Sequence, residues 1–165
     1  MKSKLESLYE IELACANRFN YRQNIIVPNI SWGAGMNECD LLVIKPNGYM
    51  IEIEIKRSVA DFKADFKKKH EHNRLKTREF YYCFPIKLLE KIEKLIPEDC
   101  GIITISTNYN DHITANYHRF AERNNKAIKL SDKQIINISR LGCMRIWPLK
   151  RKIIHKRNLF NQYEN

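Results

Sequence analysis

Several chemistries are excluded by what this chain lacks. It has five glycines, and no glycine-rich run that would cradle a phosphate or carry a dinucleotide fingerprint. No Ser/His/Asp set for nucleophilic catalysis stands out. The cysteines Cys15, Cys39, Cys83, Cys100 and Cys143 form no Cys-x-x-Cys. That spacing speaks against zinc, and an odd number speaks against a disulfide framework inside a cell. Buried or half-buried thiols are expected instead. No apolar run approaches the roughly 20 residues of a membrane span. The amino-terminal "MKSKLESLYEIEL" is charged and periodic, unlike a signal peptide. A cytoplasmic protein without membrane contact is the expectation. Repeats and low-complexity segments are also absent.

Acids are in short supply: 19 Asp and Glu stand against 29 Lys and Arg, for a net charge of +10. Such a balance favours a polyanionic partner, nucleic acid before an anionic membrane. The excess is concentrated in "KRSVADFKADFKKKHEHNRLKTR" (56–78) and "LKRKIIHKR" (149–157). Hydrophobic residues make up 44% of the 165, enough to build a core in one domain. The expected division is a domain over 1–148 and a basic tail over 149–165 that orders on a partner.

"SKLESLYEIELACANRFN" reads as a first helix, with Leu5, Leu8, Tyr9, Ala16 and Phe19 on one stripe. Glu12 lies on that stripe, an unusual place for an acid. The alternative is that it sits at the edge and reaches outward. "NIIVPNI" (24–30) can form a strand up to Pro28, which suits a sheet edge. "ECDLLVIK" (38–45), the turn "PNG" (46–48) and "YMIEIEIK" (49–56) make a β-hairpin. A helix starts at Ser58, its cap, with Val59, Phe62 and Phe66 as the apolar stripe. A strand "EFYYCF" (79–84), a helix "IKLLEKIEKLI" (86–96) and a strand "GIITIST" (101–107) follow. "HITANYH" (112–118) can pair back on that strand. "SDKQIINISRL" (131–141) is a helix with Ser131 and Gln134 as a capping box, ending before Gly142. This order implies an α/β fold, a mixed sheet with helices on both faces.

On the hairpin, Glu52, Glu54 and Lys56 alternate with Ile51, Ile53 and Ile55. A strand turns the charges to one face and the isoleucines to the other. The turn places Asp40 opposite residues 53–55, so its carboxylate can lie about 5 Å from that of Glu54. Two carboxylates at that distance repel unless a cation joins them, and oxygen-only ligands favour Mg²⁺, with Mn²⁺ as a substitute. A metal-bound water can attack a phosphodiester, and Lys56 can position it or stabilise the charge that develops. Glu12 can complete the metal shell or hold a second ion. Glu52 reads as an outer acid or, in preference, as a solvated charge.

The Asp40 strand, the "EIK" at 54–56, a preceding helix with an acid and a following basic helix resemble the PD-(D/E)xK nuclease superfamily, the restriction-endonuclease-like fold. "IEIKRSVADFKADFKKKHEH" and "FYYCFP" resemble a narrower set, the small MmcB-like DNA-repair and phage-encoded proteins. The resemblance covers most of residues 8–107 and implies an αβββαβ core. It implies that Asp40 and Glu54 bind the metal, that Ile55 adds its backbone carbonyl, that Lys56 is the catalytic lysine, and that Glu12 or Glu10 is the helix acid. Cys39 stands where the motif has proline. The implied activity is an Mg²⁺-dependent endodeoxyribonuclease. Cutting both strands of a duplex would need a homodimer or two encounters.

Lys63, Lys67, Lys68, Lys69 and Arg74 near the site, and Lys150 and Arg151 in the tail, are the expected phosphate contacts. His70 and His72 are two apart and share no helix face, so they form no metal pair. Trp32 reads as either a groove contact or core. Two alternatives stay open: a nucleic-acid-binding module on the same fold that does not cut, and a subunit of a repair or defence complex.

Overall fold

The structure, a computed structural model, describes residues 7–30, 38–67, 75–108 and 112–163, of which 65–67 and 158–163 by backbone alone. A mixed six-stranded sheet is flanked by helices on both faces. Strands β1 (Ile25–Ile30), β2 (Cys39–Ile44), β3 (Met50–Ile55), β4 (Thr77–Pro85), β5 (Gly101–Thr107) and β6 (Ile113–Arg119) lie side by side in chain order. The β3–β4 and β4–β5 pairs are parallel and the others antiparallel. Parallel neighbours need a crossover, and α2 (Val59–Lys67) and α3 (Leu89–Ile92) provide the two.

The hairpin forms as its pattern dictates. Gly48 takes φ +83°, a value that glycine adopts without strain. Leu41 faces Ile53 and Leu42 faces Glu52. One further step of this register sets Asp40 level with Glu54. Ile51, Ile53 and Ile55 pack with Leu41, Val43, Tyr81 and Cys83 beneath α1 (Leu8–Arg18). On the opposite face Phe62 of α2 and Ile92 of α3 cover Phe80, Tyr82 and Phe84. Tyr81 and Tyr82 are thus both core residues, one in each layer. Phe62 is fully buried, which is worth roughly 1.5–3 kcal/mol and fixes α2 beside the end of β3.

Helix α1 buries Ile11, Ala14 and Cys15; of the expected stripe Phe19 is buried at its end and Leu8 packs partly on the core, whereas Tyr9 is exposed. Strand β1 is an edge strand but continues past Pro28 to Ile30, with Asn29 at φ +52°. The stretch 86–96 is not one helix: 3-10 turns at Ile86–Leu88 and Glu93–Leu95 flank the single turn of α3.

The largest departure is α4, Asp132–Tyr163. Its start is as expected, with Ser131 and Gln134 capping each other. The helix then passes through Gly142 and Pro148 and across the 148/149 boundary, so most of the basic tail is helical. Gly142 is not a stop signal. A Cβ there would lie 3.2 Å from a Val27 methyl, so glycine lets α4 sit close on β1. Cys143, on the far side, is exposed, whereas the other four thiols are buried.

Candidate active site at the end of the sheet

The carboxyl end of β3 holds an ionic cluster with little access to water. Glu52, Glu54 and Lys56 are only 2%, 7% and 5% exposed. A merely solvated face is therefore not what this strand presents. Lys56 Nζ donates to Glu54 Oε2 at 3.2 Å. The Lys56 backbone N–H donates to the Cys83 carbonyl at 2.8 Å, which pins the lysine to β4. Burying such charges is costly unless they are paired, so their placement constrains the whole sheet end. Glu52, read in preference as solvated, instead accepts a 2.7 Å hydrogen bond from the Thr77 hydroxyl. The start of β4 lies alongside it and covers it.

Asp40 reaches the same place from β2. Its Oδ2 accepts from the Ile55 backbone N–H at 2.7 Å, where a strand would otherwise use a carbonyl. The side chain thereby closes the ladder at its last step, at the amide of the residue between Glu54 and Lys56.

Glu12 approaches from α1. Its Oε1 accepts from Asn29 Nδ2 at 3.1 Å, and the positive φ of Asn29 marks the local kink in β1. Burial pushes the Glu12 carboxyl above its ordinary range. The Asn29 hydrogen bond opposes the shift, the Asp40 charge adds to it, and Arg145 opposes it. Glu10 serves a different purpose. It and Ser7 form the capping box of α1, with Ser7 N donating to Glu10 Oε2 at 2.6 Å. Of the two helix acids, Glu12 is the one whose environment includes Asp40.

Burial pushes the Cys39 thiol up, and the charges of Glu52, Glu54 and Asp40 add to the shift. Cys39 is thus a neutral thiol beside the carboxylates. The carboxylates themselves offer oxygens, the donors that suit a hard cation. Among the described residues no three or more His, Cys, Asp or Glu side chains converge into a ready cage. A cation here would take Asp40 and Glu54, a backbone oxygen such as that of Ile55, and waters, which is the habit of Mg²⁺.

Arg145 is the participant that sequence reasoning missed. Helix α4 packs on β1 and brings its guanidinium to the Asn29 carbonyl, to which Nη2 donates. The charge of Arg145 acts on both Glu12 and Cys39. Residues 29 and 145 are far apart in sequence, and no local signal links them.

Of the expected phosphate contacts, Lys63 is exposed on α2, and Lys150 and Arg151 are exposed on α4. Lys67 ends α2 and is described by backbone alone. Lys68, Lys69, Arg74, His70, His72 and Trp32 lie outside the described residues.

A mixed six-stranded α/β sheet with buried acids and a buried lysine at one end defines a basic α/β protein with a compact ionic centre. The family profile of the DNA repair protein MmcB-like family matches residues 5–148. The chain belongs to that family. Its fold is similar to that of SPO1766, a protein of unknown function from Silicibacter pomeroyi, with a TM-score of 0.62 and 17% identity over 93% of this chain and 95% of that one. At that identity the likeness speaks to fold alone. No curated protein matches. Among the described residues no helix is long and apolar enough to cross a membrane.

Proposed function

We propose that the protein is a metal-dependent nuclease that hydrolyses DNA phosphodiester bonds at Asp40, Glu54 and Lys56, as a PD-(D/E)xK site would. The observation that carries this reading is the buried Glu54–Lys56 pair at the end of a strand, with the half-buried Asp40 on the neighbouring strand bonded to the amide between them. Such a group is costly to hold and is more readily understood as a site than as scaffolding. The family's description as DNA repair proteins and the net charge of +10 support DNA as the partner.

Each residue has a distinct role. Asp40, oriented by the Ile55 amide, and Glu54 offer carboxylate oxygens from adjacent strands, and Glu12 of α1, held by Asn29, acts on Asp40 through its charge. When bound, Mg²⁺ or Mn²⁺ supplies Lewis acidity and a water of lowered pKa. The ammonium of Lys56 positions the attacking water and stabilises negative charge building on the phosphate. The aromatic and aliphatic core beneath keeps the group rigid, so little reorganisation is needed at reaction.

One observation favours a different reading. Lys56 pairs with Glu54 at 3.2 Å, as it would in a module that binds nucleic acid without cutting. Cleavage of labelled single-stranded, duplex and branched DNA separates the two, with Mg²⁺, with Mn²⁺ and with EDTA. Metal-dependent cutting by the wild type that Lys56→Ala and Asp40→Asn both abolish supports the nuclease. Tight, salt-sensitive binding by all three proteins, with no cutting by any, supports the module.

A further inference from the structure

Helix α4 runs from the turn end of the hairpin toward the ionic centre and then past it. Near its start the Leu130 N–H donates to the Gly48 carbonyl at 3.0 Å. Gly142 then packs on Val27, and Arg145 reaches Asn29 beside Glu12 and Cys39. Beyond Arg145 nearly every described side chain of the helix is exposed, so this half extends past the sheet on the side of the candidate site. Pro148 stands at the junction of the two halves, where its missing N–H removes one helical bond.

The helical phase of the projecting half is informative. Positions 145, 152 and 156 are separated by two and three turns, so they share one face. It is the face that packs on the sheet through Ile138 and Gly142. Where the sheet ends, that face carries Arg145, Lys152 and Lys156, with the exposed Leu149 between them and the exposed Ile153 at its edge. After Asp132 no Asp or Glu occurs in α4. Lys150 and Arg151 point elsewhere on the wheel, and Lys150 lies over the Trp147 ring at 5.2 Å.

We infer that the projecting half of α4 is an arm that grips the phosphate backbone of a nucleic acid as it leaves the site, with Lys152 and Lys156 as its contacts. The inference rests on the reading of the site as one that acts on nucleic acid. Charge and continuity select the occupant. A second copy of the chain laid on this stripe would bury Leu149 and Ile153 but set Lys152 and Lys156 against like charges. An anionic bilayer would satisfy the lysines but not connect them to the buried centre. A polyanionic strand does both. From Arg145 to Arg157 the helix rises about 18 Å, which matches about five base pairs of duplex at 3.4 Å each. A substrate shorter than that on the arm side would forgo these contacts.

The test is equilibrium binding in EDTA to fluorescent duplexes of about 8 and about 20 base pairs across a salt series. It compares wild type, Lys152→Ala/Lys156→Ala, and the charge-matched Lys91→Ala/Lys94→Ala on the α3 side. All four positions are exposed, so folding, checked by circular dichroism, is expected to survive. The arm predicts about tenfold weaker binding of the longer duplex by the first variant, and a salt slope smaller by about 1.8 for two lost phosphates. It also predicts little change for the shorter duplex or for the Lys91/Lys94 variant. Equal losses in both variants would overturn it. So would wild-type binding by the Lys152/Lys156 variant, loss of a wild-type dimer in sedimentation, or uptake by phosphatidylglycerol vesicles in place of duplex. Cleavage is not read, so a protein that never cuts can still confirm the arm, and a nuclease can still lack it.

Discussion

The carboxylate of Asp40 takes the place of a backbone carbonyl for the N–H of Ile55, at 2.7 Å. One side chain therefore ends the β2–β3 ladder and offers charge to the site. The two roles separate by substitution. Asp40→Asn keeps an oxygen acceptor and removes the charge, so it should fold with near wild-type stability while losing metal-dependent activity. Asp40→Ala also strands the amide and should cost about 1–2 kcal/mol in urea unfolding. Equal stability of the two variants would show that the bond carries no weight.

Glu12 gives a pH signature. Its carboxyl in the folded protein lies above its ordinary value of 4.5, chiefly through burial. Folding thus favours the protonated form. The contribution to stability is full below the unfolded value and is lost as pH rises through the folded one. Metal-free Glu12→Gln, which cannot ionise, should therefore gain on the wild type as pH rises from about 4 to about 7. Thermal melts across that window check it, and a constant difference would refute it.

Thr77 donates to a carboxylate that is almost wholly buried. Thr77→Val keeps the shape and removes that donor from Glu52. The expected loss is about 1.5–3 kcal/mol in urea unfolding, the range for a bond to a charged group. Glu52→Gln in the same background should recover part of it, because a neutral side chain depends less on the lost donor.

Gly142 sets the approach of α4 to β1. Gly142→Leu should push the helix off Val27, cost roughly 1–3 kcal/mol by overpacking, and shift Arg145 away from Asn29. The chemical shifts of the Asn29 side-chain amide would report that movement. Unchanged shifts would mean that α4 does not position the Asn29–Glu12 pair.

The hairpin was legible because two local signals agree: a period of two and a turn containing a proline and a glycine. Together they fixed which residues face which layer, and a register that continues to set Asp40 level with Glu54. Helix α4 was not legible beyond Leu141. Glycine and proline cost about 1 and about 3 kcal/mol inside a helix, so both read as ends. Here packing on Val27 favours the glycine, and the proline falls where the helix leaves the sheet. Arg145 and Asn29 meet only through the tertiary fold, and the burial of Glu52 depends on the neighbouring start of β4. Patterns within a strand carry no information about either.

The central claim is that the carboxylates at the end of β3 hold a divalent cation, and Mn²⁺ binding followed by electron paramagnetic resonance tests it without any choice of substrate. Wild-type protein should bind Mn²⁺ in competition with Mg²⁺, with affinity falling about tenfold or more in Asp40→Asn and in Glu54→Gln. Failure of the wild type to bind Mn²⁺, or equal binding by all three proteins, would contradict the account and leave Glu54 and Lys56 as a buried ion pair of the scaffold.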